Sequence, residues 1–141
     1  FSTDKQYDAI IFDFFEEDND TLLRLLRYYS KFLASSGQVI FLAKNSSSFS
    51  QQIQQKIDKN FNSSVGFQTV SSIDTLFANL AFDIEKKQGF SFQCLPNEAM
   101  TVLPKNVVDG FQKIEDYFPL ELLDVIAIIA RRASSLSRTS Y

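Results

Sequence analysis

Two short, almost uninterrupted apolar runs constrain this chain more than any other feature: YDAIIFDFF, Tyr7 to Phe15, and QVIFLAK, Gln38 to Lys44. Runs of this length, rich in Ile, Val and Phe, have the pattern of strands buried on both faces. Between them, EEDNDT supplies acidic and capping side chains ahead of a helical pattern from about Asp20 to Ala34, with Gly37 as its C-terminal stop. Strand, helix, strand in that order is a right-handed crossover unit. The spacing therefore predicts an α/β fold with a mostly parallel sheet in a three-layer αβα arrangement, partial or truncated.

The first helix has an unusually wide apolar arc. Leu22, Leu23, Leu25, Leu26, Tyr28, Tyr29, Phe32 and Leu33 cover more than half its circumference, so a second surface is expected to cover it. A polar NSSSFSQQ loop leads into a helix from about Ser50 to Phe61. The run SSIDTLFANLAFDIEKK then reads as one long helix, with Ile73, Phe77, Leu80, Ala81 and Ile84 on one face and Thr75, Ala78 and Phe82 on the other. A tight turn at Gly89 opens a third strand, GFSFQCL, which Pro96-Asn97 ends. A short helix is expected from Val107 to Tyr117. PLELLDVIAIIARR reads as a final helix, with Pro119 first, Glu121 and Asp124 early and Arg131 and Arg132 late. The β-branched run Val125 to Ile129 keeps a strand open as the alternative.

Composition removes whole classes of chemistry. With no histidine there is no Ser-His-Asp or Cys-His machinery, no His-ligated metal and no imidazole base near neutral pH. Cys94, the one cysteine, rules out an intramolecular disulfide, fits a reducing compartment and reads as a buried, inert thiol. A net charge of -3, with Lys86-Lys87 and Arg131-Arg132 as the only adjacent basic pairs, argues against nucleic-acid binding. No apolar run approaches the roughly 20 residues that span a bilayer, and FSTDKQ lacks a signal peptide's pattern. The expectation is a soluble protein of the cytoplasm or an organelle matrix with no membrane partner. It is read as one domain, residues 1–141, cut from or belonging to something longer.

Taken as blocks, these segments resemble the second half of the short-chain dehydrogenase/reductase family, in particular the β-ketoacyl-carrier-protein reductases. YDAIIFDFF looks like the family's fourth strand, SGQVIFLAKN like its fifth, SSIDTLFANLAFDIEKKQGFSFQCLP like its longest helix and sixth strand, and PLELLDVIAIIARRASSLSRTSY like its late helix. The catalytic features are missing. The positions of the family's Tyr and Lys fall on Gly66 and Val70, and none of the glycines forms the GxGxxG turn that binds a dinucleotide. The resemblance thus implies a Rossmann- or flavodoxin-like domain without catalytic residues or a cofactor. Such a domain supports a fatty-acid or polyketide-type ketoreductase by packing against another reductase-like domain or subunit, or as a homodimer. The interface it implies is Leu23, Tyr28 and Phe32 on the first helix with Thr75, Ala78 and Phe82 on the second.

Two other readings use the same residues. Asp13, at the end of the first strand with Lys44 at the end of the next, resembles a response-regulator receiver, which would make Asp13 a phosphoacceptor. Asp13, Glu16, Glu17, Asp18 and Asp20 could bind Mg²⁺ or Ca²⁺, or form a solvated acidic loop capping a helix. The β-α-β order is also that of the C-terminal half of class I methyltransferases, the half with some of the substrate contacts. If residues outside this chain complete an active site, the cofactor would be NADP on the reductase reading or S-adenosylmethionine on the methyltransferase reading.

Overall fold

A computed structural model describes residues 1–92 and 100–133. Its centre is a four-stranded sheet of order β1-β2-β4-β3, built from β1 (Tyr7–Asp13), β2 (Leu33–Lys44), β3 (Phe82–Phe90) and β4 (Val125–Arg132). The α/β class is as expected; the mostly parallel sheet is not. β1 and β2 are parallel across the helix α1 (Asn19–Ser30), but β4 is antiparallel to both β2 and β3. The reason is that β4 starts at the end of the sheet where β2 and β3 finish, and inserts between them running back.

Helices α1, α2 (Phe49–Ile57), α3 (Val70–Asn79) and α4 (Lys105–Ile114) complete the described elements, with 3-10 turns at Glu115–Tyr117 and Leu120–Leu122. Local chemistry sets their starts. The Asp18 carboxylate accepts the Thr21 N–H at 2.8 Å to cap α1, and Thr69 and Ser72 form a reciprocal capping box on α3. One sheet face carries Ile10, Phe12, Val39, Phe41, Ile126 and Ile128, buried against Leu22 and Leu26 of α1 and Ile73 and Phe77 of α3. Phe77 is the pivot, edge-on to Phe41 at 5.5 Å and to Phe82 at 6.3 Å. Burying a side chain of this size contributes about 1.5–3 kcal/mol. Among the described residues, no helix is long and apolar enough to cross a membrane.

Three predicted elements take another form. The long helix from Ser71 ends at Asn79; Leu80 caps it and Ala81 adopts a left-handed φ of 57°, and from Phe82 the chain is strand β3. Gly89 therefore lies inside a strand rather than at a turn between helix and strand. The first helix closes at Ser30, and Gly37 sits within β2, where a Cβ would come within 2.7 Å of the Leu33 side chain and 3.0 Å of the Tyr7 carbonyl oxygen. Its role is close strand approach, not helix termination. PLELLDVIAIIARR becomes a 3-10 turn and β4, the strand alternative, because Ile126, Ile128 and Ala130 alternate onto the core face. Cys94, Pro96, Asn97 and the Ser-rich end from Ser134 lie outside the described residues.

Candidate functional site

In α/β sheets, ligands collect beyond the carboxyl ends of the parallel strands. At that end of β1 and β2 the chain forms two neighbouring clefts that share Lys44 and Phe67. Lys44 ends β2, and its ammonium group stands 5.9 Å from the centre of the Phe67 ring.

The first cleft, about 180 Å³, lies between the turn after β1 (Phe14, Phe15, Glu16) and the loop Ser64–Phe67. Its walls are fixed by backbone conformation. Phe14 adopts φ 43°, and Gly66 adopts φ 94° at a point where a Cβ would fall 2.1 Å from the Phe15 carbonyl oxygen. Only glycine allows the loop to pass that close. Buried Gln68 holds the same loop: its backbone N–H donates to the Lys44 carbonyl at 2.8 Å, its amide donates to Asn19 Oδ1 at 2.8 Å, and its Oε1 accepts from Ser72 Oγ at 2.7 Å.

The second cleft, about 210 Å³, opens over Asn45, Ser48, Ser50, Ser91 and Asp124. Asn45 is 1% exposed and bolts β2 to the start of β4. Its amide donates to the carbonyls of Glu121 (2.9 Å) and Leu123 (2.8 Å), while its Oδ1 accepts the Ser47 N–H at 2.9 Å. The half-buried Asp124 carboxylate accepts from Ser50 Oγ at 3.0 Å and Ser91 Oγ at 3.2 Å. Burial pushes its pKa up from the ordinary carboxylate value, and those hydroxyls together with that of Ser48 oppose the shift. Ser91 reaches it from a left-handed backbone, φ 64°, a conformation that concentrates at functional sites.

The residues singled out from sequence are dispersed. Phe82 is 8% exposed and packed under Phe77, so it faces the core rather than a partner. Leu23 packs against the core, Tyr28 is 47% exposed, and Phe32 is half-buried in an aromatic cluster with Tyr28 and Phe1. Phe1 also stacks on Tyr7 and edges Tyr29, so the chain's own N-terminal residue covers part of the wide arc of α1. Thr75 and Ala78 are exposed. Asp13 is exposed at the carboxyl end of β1 and lines neither cleft. The acids from Asp13 to Asp20 do not converge: among the described residues no group of three could hold a metal ion, and Asp18 is occupied as a cap. Val70 is the first residue of α3. Sequence reasoning did not pick out Asn45, Gln68 or Asp124 as site residues; a polar side chain buried at a strand end becomes conspicuous only once the fold is known.

No family profile matches the sequence, and no curated protein matches it. Solved structures do. They include a SAM dependent methyltransferase from Archaeoglobus fulgidus (TM-score 0.52, 18% identity, 91% of this chain and 60% of that one). An S-adenosylmethionine dependent methyltransferase from Mesorhizobium loti matches with TM-score 0.52 and 14% identity over 91% of this chain and 62% of that one. The CcbJ methyltransferase from Streptomyces caelestis matches with TM-score 0.56 and 7% identity over 94% and 60%. At such identities the likeness is one of fold, and the chain spans about three fifths of the length of these structures. The reductase resemblance is corrected by these matches and by the break at Ala81, which removes the long helix it rested on. The ketoreductase and fatty-acid or polyketide assignments fall with it, and so does the expectation of no cofactor.

Proposed function

We propose that this chain is the C-terminal, acceptor-side half of an S-adenosylmethionine-dependent methyltransferase. The observation that carries this reading is the sheet, with its order β1-β2-β4-β3 and one antiparallel strand set inside it, in a chain whose fold matches that of methyltransferases over nine tenths of its length. The two sheet edges support it. β3 has the devices of a protected edge: Asp83, Glu85, Lys86 and Lys87, and a register shift between Ile84 and Lys86. Across Ala9–Phe12, β1 has no charge, and Ile11 is 63% exposed. A strand written for an interior position suits further polypeptide pairing along β1 and completing the site.

The rim residues fit part of the cofactor. When bound, S-adenosylmethionine supplies an electrophilic methyl group. Phe14, Phe15 and Phe67 line the cleft with aromatic rings and Glu16 with a carboxylate, chemistry that suits a ligand part aromatic and part cationic, although Lys44 also lines it and stands over the Phe67 ring. A cleft of about 180 Å³ is smaller than the roughly 300 Å³ at which sites for molecules of this size begin, so this chain would hold only a portion of it. Thermal-shift titration with S-adenosylmethionine, S-adenosylhomocysteine and NADPH tests the reading. A ligand bound only by the native state raises its stability. The two adenosyl compounds should raise the melting temperature saturably and NADPH should not; a response to NADPH alone would reverse the assignment.

A further inference from the structure

The hydrogen-bond polarity of the second cleft says what it can recognise. A serine hydroxyl has one proton to give. Ser50 gives its proton to Asp124, so the Ser48 hydroxyl, 3.2 Å from Ser50 Oγ, directs its own proton to Ser50 or to the same carboxylate. Ser91 also spends its proton on Asp124. With these protons committed, the wall formed by Ser50, Ser91 and Asp124 is left with lone pairs alone. A carboxylate has about four acceptor sites, and the hydroxyls of Ser50, Ser91 and Ser48 that bear on it fill at most three. Such a wall suits a group with several N–H donors and one positive charge.

The charged groups around Asp124 fit that assignment. Lys44 of β2 lines the same cleft but sits over the Phe67 ring; Glu115 accepts the Ser91 N–H at 3.2 Å; Glu121 presents its carbonyl to Asn45. Among the described residues, no ion pair joins these groups to Asp124. The backbone of Asp124 is also held by two bonds: its N–H donates to the Ser91 carbonyl at 2.8 Å, and Asn45 N–H donates to the Asp124 carbonyl at 2.8 Å. These bonds fix the main chain from which the carboxylate extends, and the Ser50 and Ser91 hydroxyls hold the carboxylate itself.

We propose that the cleft over Asp124, Ser50 and Ser91 binds the amino group of an amine-bearing ligand. This rests on the acceptor-side reading for its meaning, as the chemical class of the methyl acceptor, but its test needs no cofactor. Ethanolamine, with acetate as an anionic control, is titrated into the full chain near pH 7 and followed by amide NMR shifts. Ethanolamine should shift Ser48, Ser50, Gln51, Ser91 and Asp124 saturably, with an apparent Kd on the order of 10 mM for so small a probe. Asp124→Asn should weaken it at least about fivefold, a change that the loss of one charge-assisted contact readily produces. The same weakening should appear in the unmodified protein as pH is lowered until Asp124 protonates, a measurement that stands if the variant folds poorly. Absence of saturable shifts, equal affinity for Asp124→Asn, or acetate shifting the same residues would each overturn the proposal. Any of these could occur while the adenosyl titrations still succeed.

Discussion

Truncating Asn45 to Ala should unfasten the start of β4 from the end of β2. The side chain makes three hydrogen bonds of 2.8–2.9 Å from a position 1% exposed, two as donor and one as acceptor. At about 1 kcal/mol net for each bond, the loss is about 3 kcal/mol. The Leu123 carbonyl is in the buried part of the network, and a buried acceptor left without a partner costs about 1–3 kcal/mol by itself, which sets the upper end higher. Urea unfolding followed by circular dichroism reads this directly. With a slope of about 2 kcal/mol per molar, the midpoint should fall by roughly 1.5 M with the slope unchanged. Ser46→Ala is the control, since that hydroxyl makes a single 3.3 Å bond to the Gln68 carbonyl; it should cost under about 0.5 kcal/mol. A loss below about 1 kcal/mol for Asn45→Ala would refute the view that this amide fastens the rim.

Two further substitutions examine the clefts. Gly66→Ala places a Cβ 2.1 Å from a carbonyl oxygen at φ 94°, so it should destabilise the chain by about 2 kcal/mol or more in the same assay and disturb the amide shifts of Phe15 and Glu16. A change within 0.5 kcal/mol, with those shifts intact, would contradict the close approach. Asp124 has its folded-state pKa raised above the ordinary 3.8, chiefly by burial. Between 3.8 and that raised value the native state holds more protons than the unfolded state, so this residue's contribution falls as pH rises through the window and is level above it. Asp124→Asn should therefore gain stability relative to the unmodified protein on going from acid to neutral pH; a relative loss over that interval would reverse the sign and the reasoning.

Some of this architecture was open to inspection in the sequence because burial leaves a mark on composition. QVIFLAK is apolar along most of its length because β2 lies inside the sheet, paired with both β1 and β4. YDAIIFD, expected to be buried on both faces, is instead an edge strand that buries Ile10 and Phe12 and leaves Ala9 and Ile11 exposed. Asp18 with Asp20 announces the start of α1. The break before β3 was harder to see. Leu80 and Ala81 continue the helical spacing, and the left-handed turn falls on Ala81 without a glycine to mark it. The signal that was present is the period of two in Phe82, Asp83, Ile84 and Glu85, with Phe82 buried, Ile84 half-buried and both acids exposed. In β4, acids before and arginines after an apolar run suit a helix dipole, but alternate burial of Ile126, Ile128 and Ala130 decided for a strand. The site was less legible than the fold because its parts are distant in sequence. Asn45 meets Glu121 and Leu123, and Ser50 and Ser91 meet Asp124, only after β4 has inserted beside β2. Gly66, read as the position of a missing tyrosine, is instead required for the close approach to Phe15.

Mapping where an adenosyl ligand sits tests the methyltransferase assignment most directly. S-adenosylhomocysteine titrated into the chain should produce saturable amide shifts concentrated at Phe14 to Glu16, Lys44, Asn45 and Ser64 to Phe67, with NADPH leaving them unmoved. Shifts absent from that rim, or NADPH moving the same residues, would contradict the account.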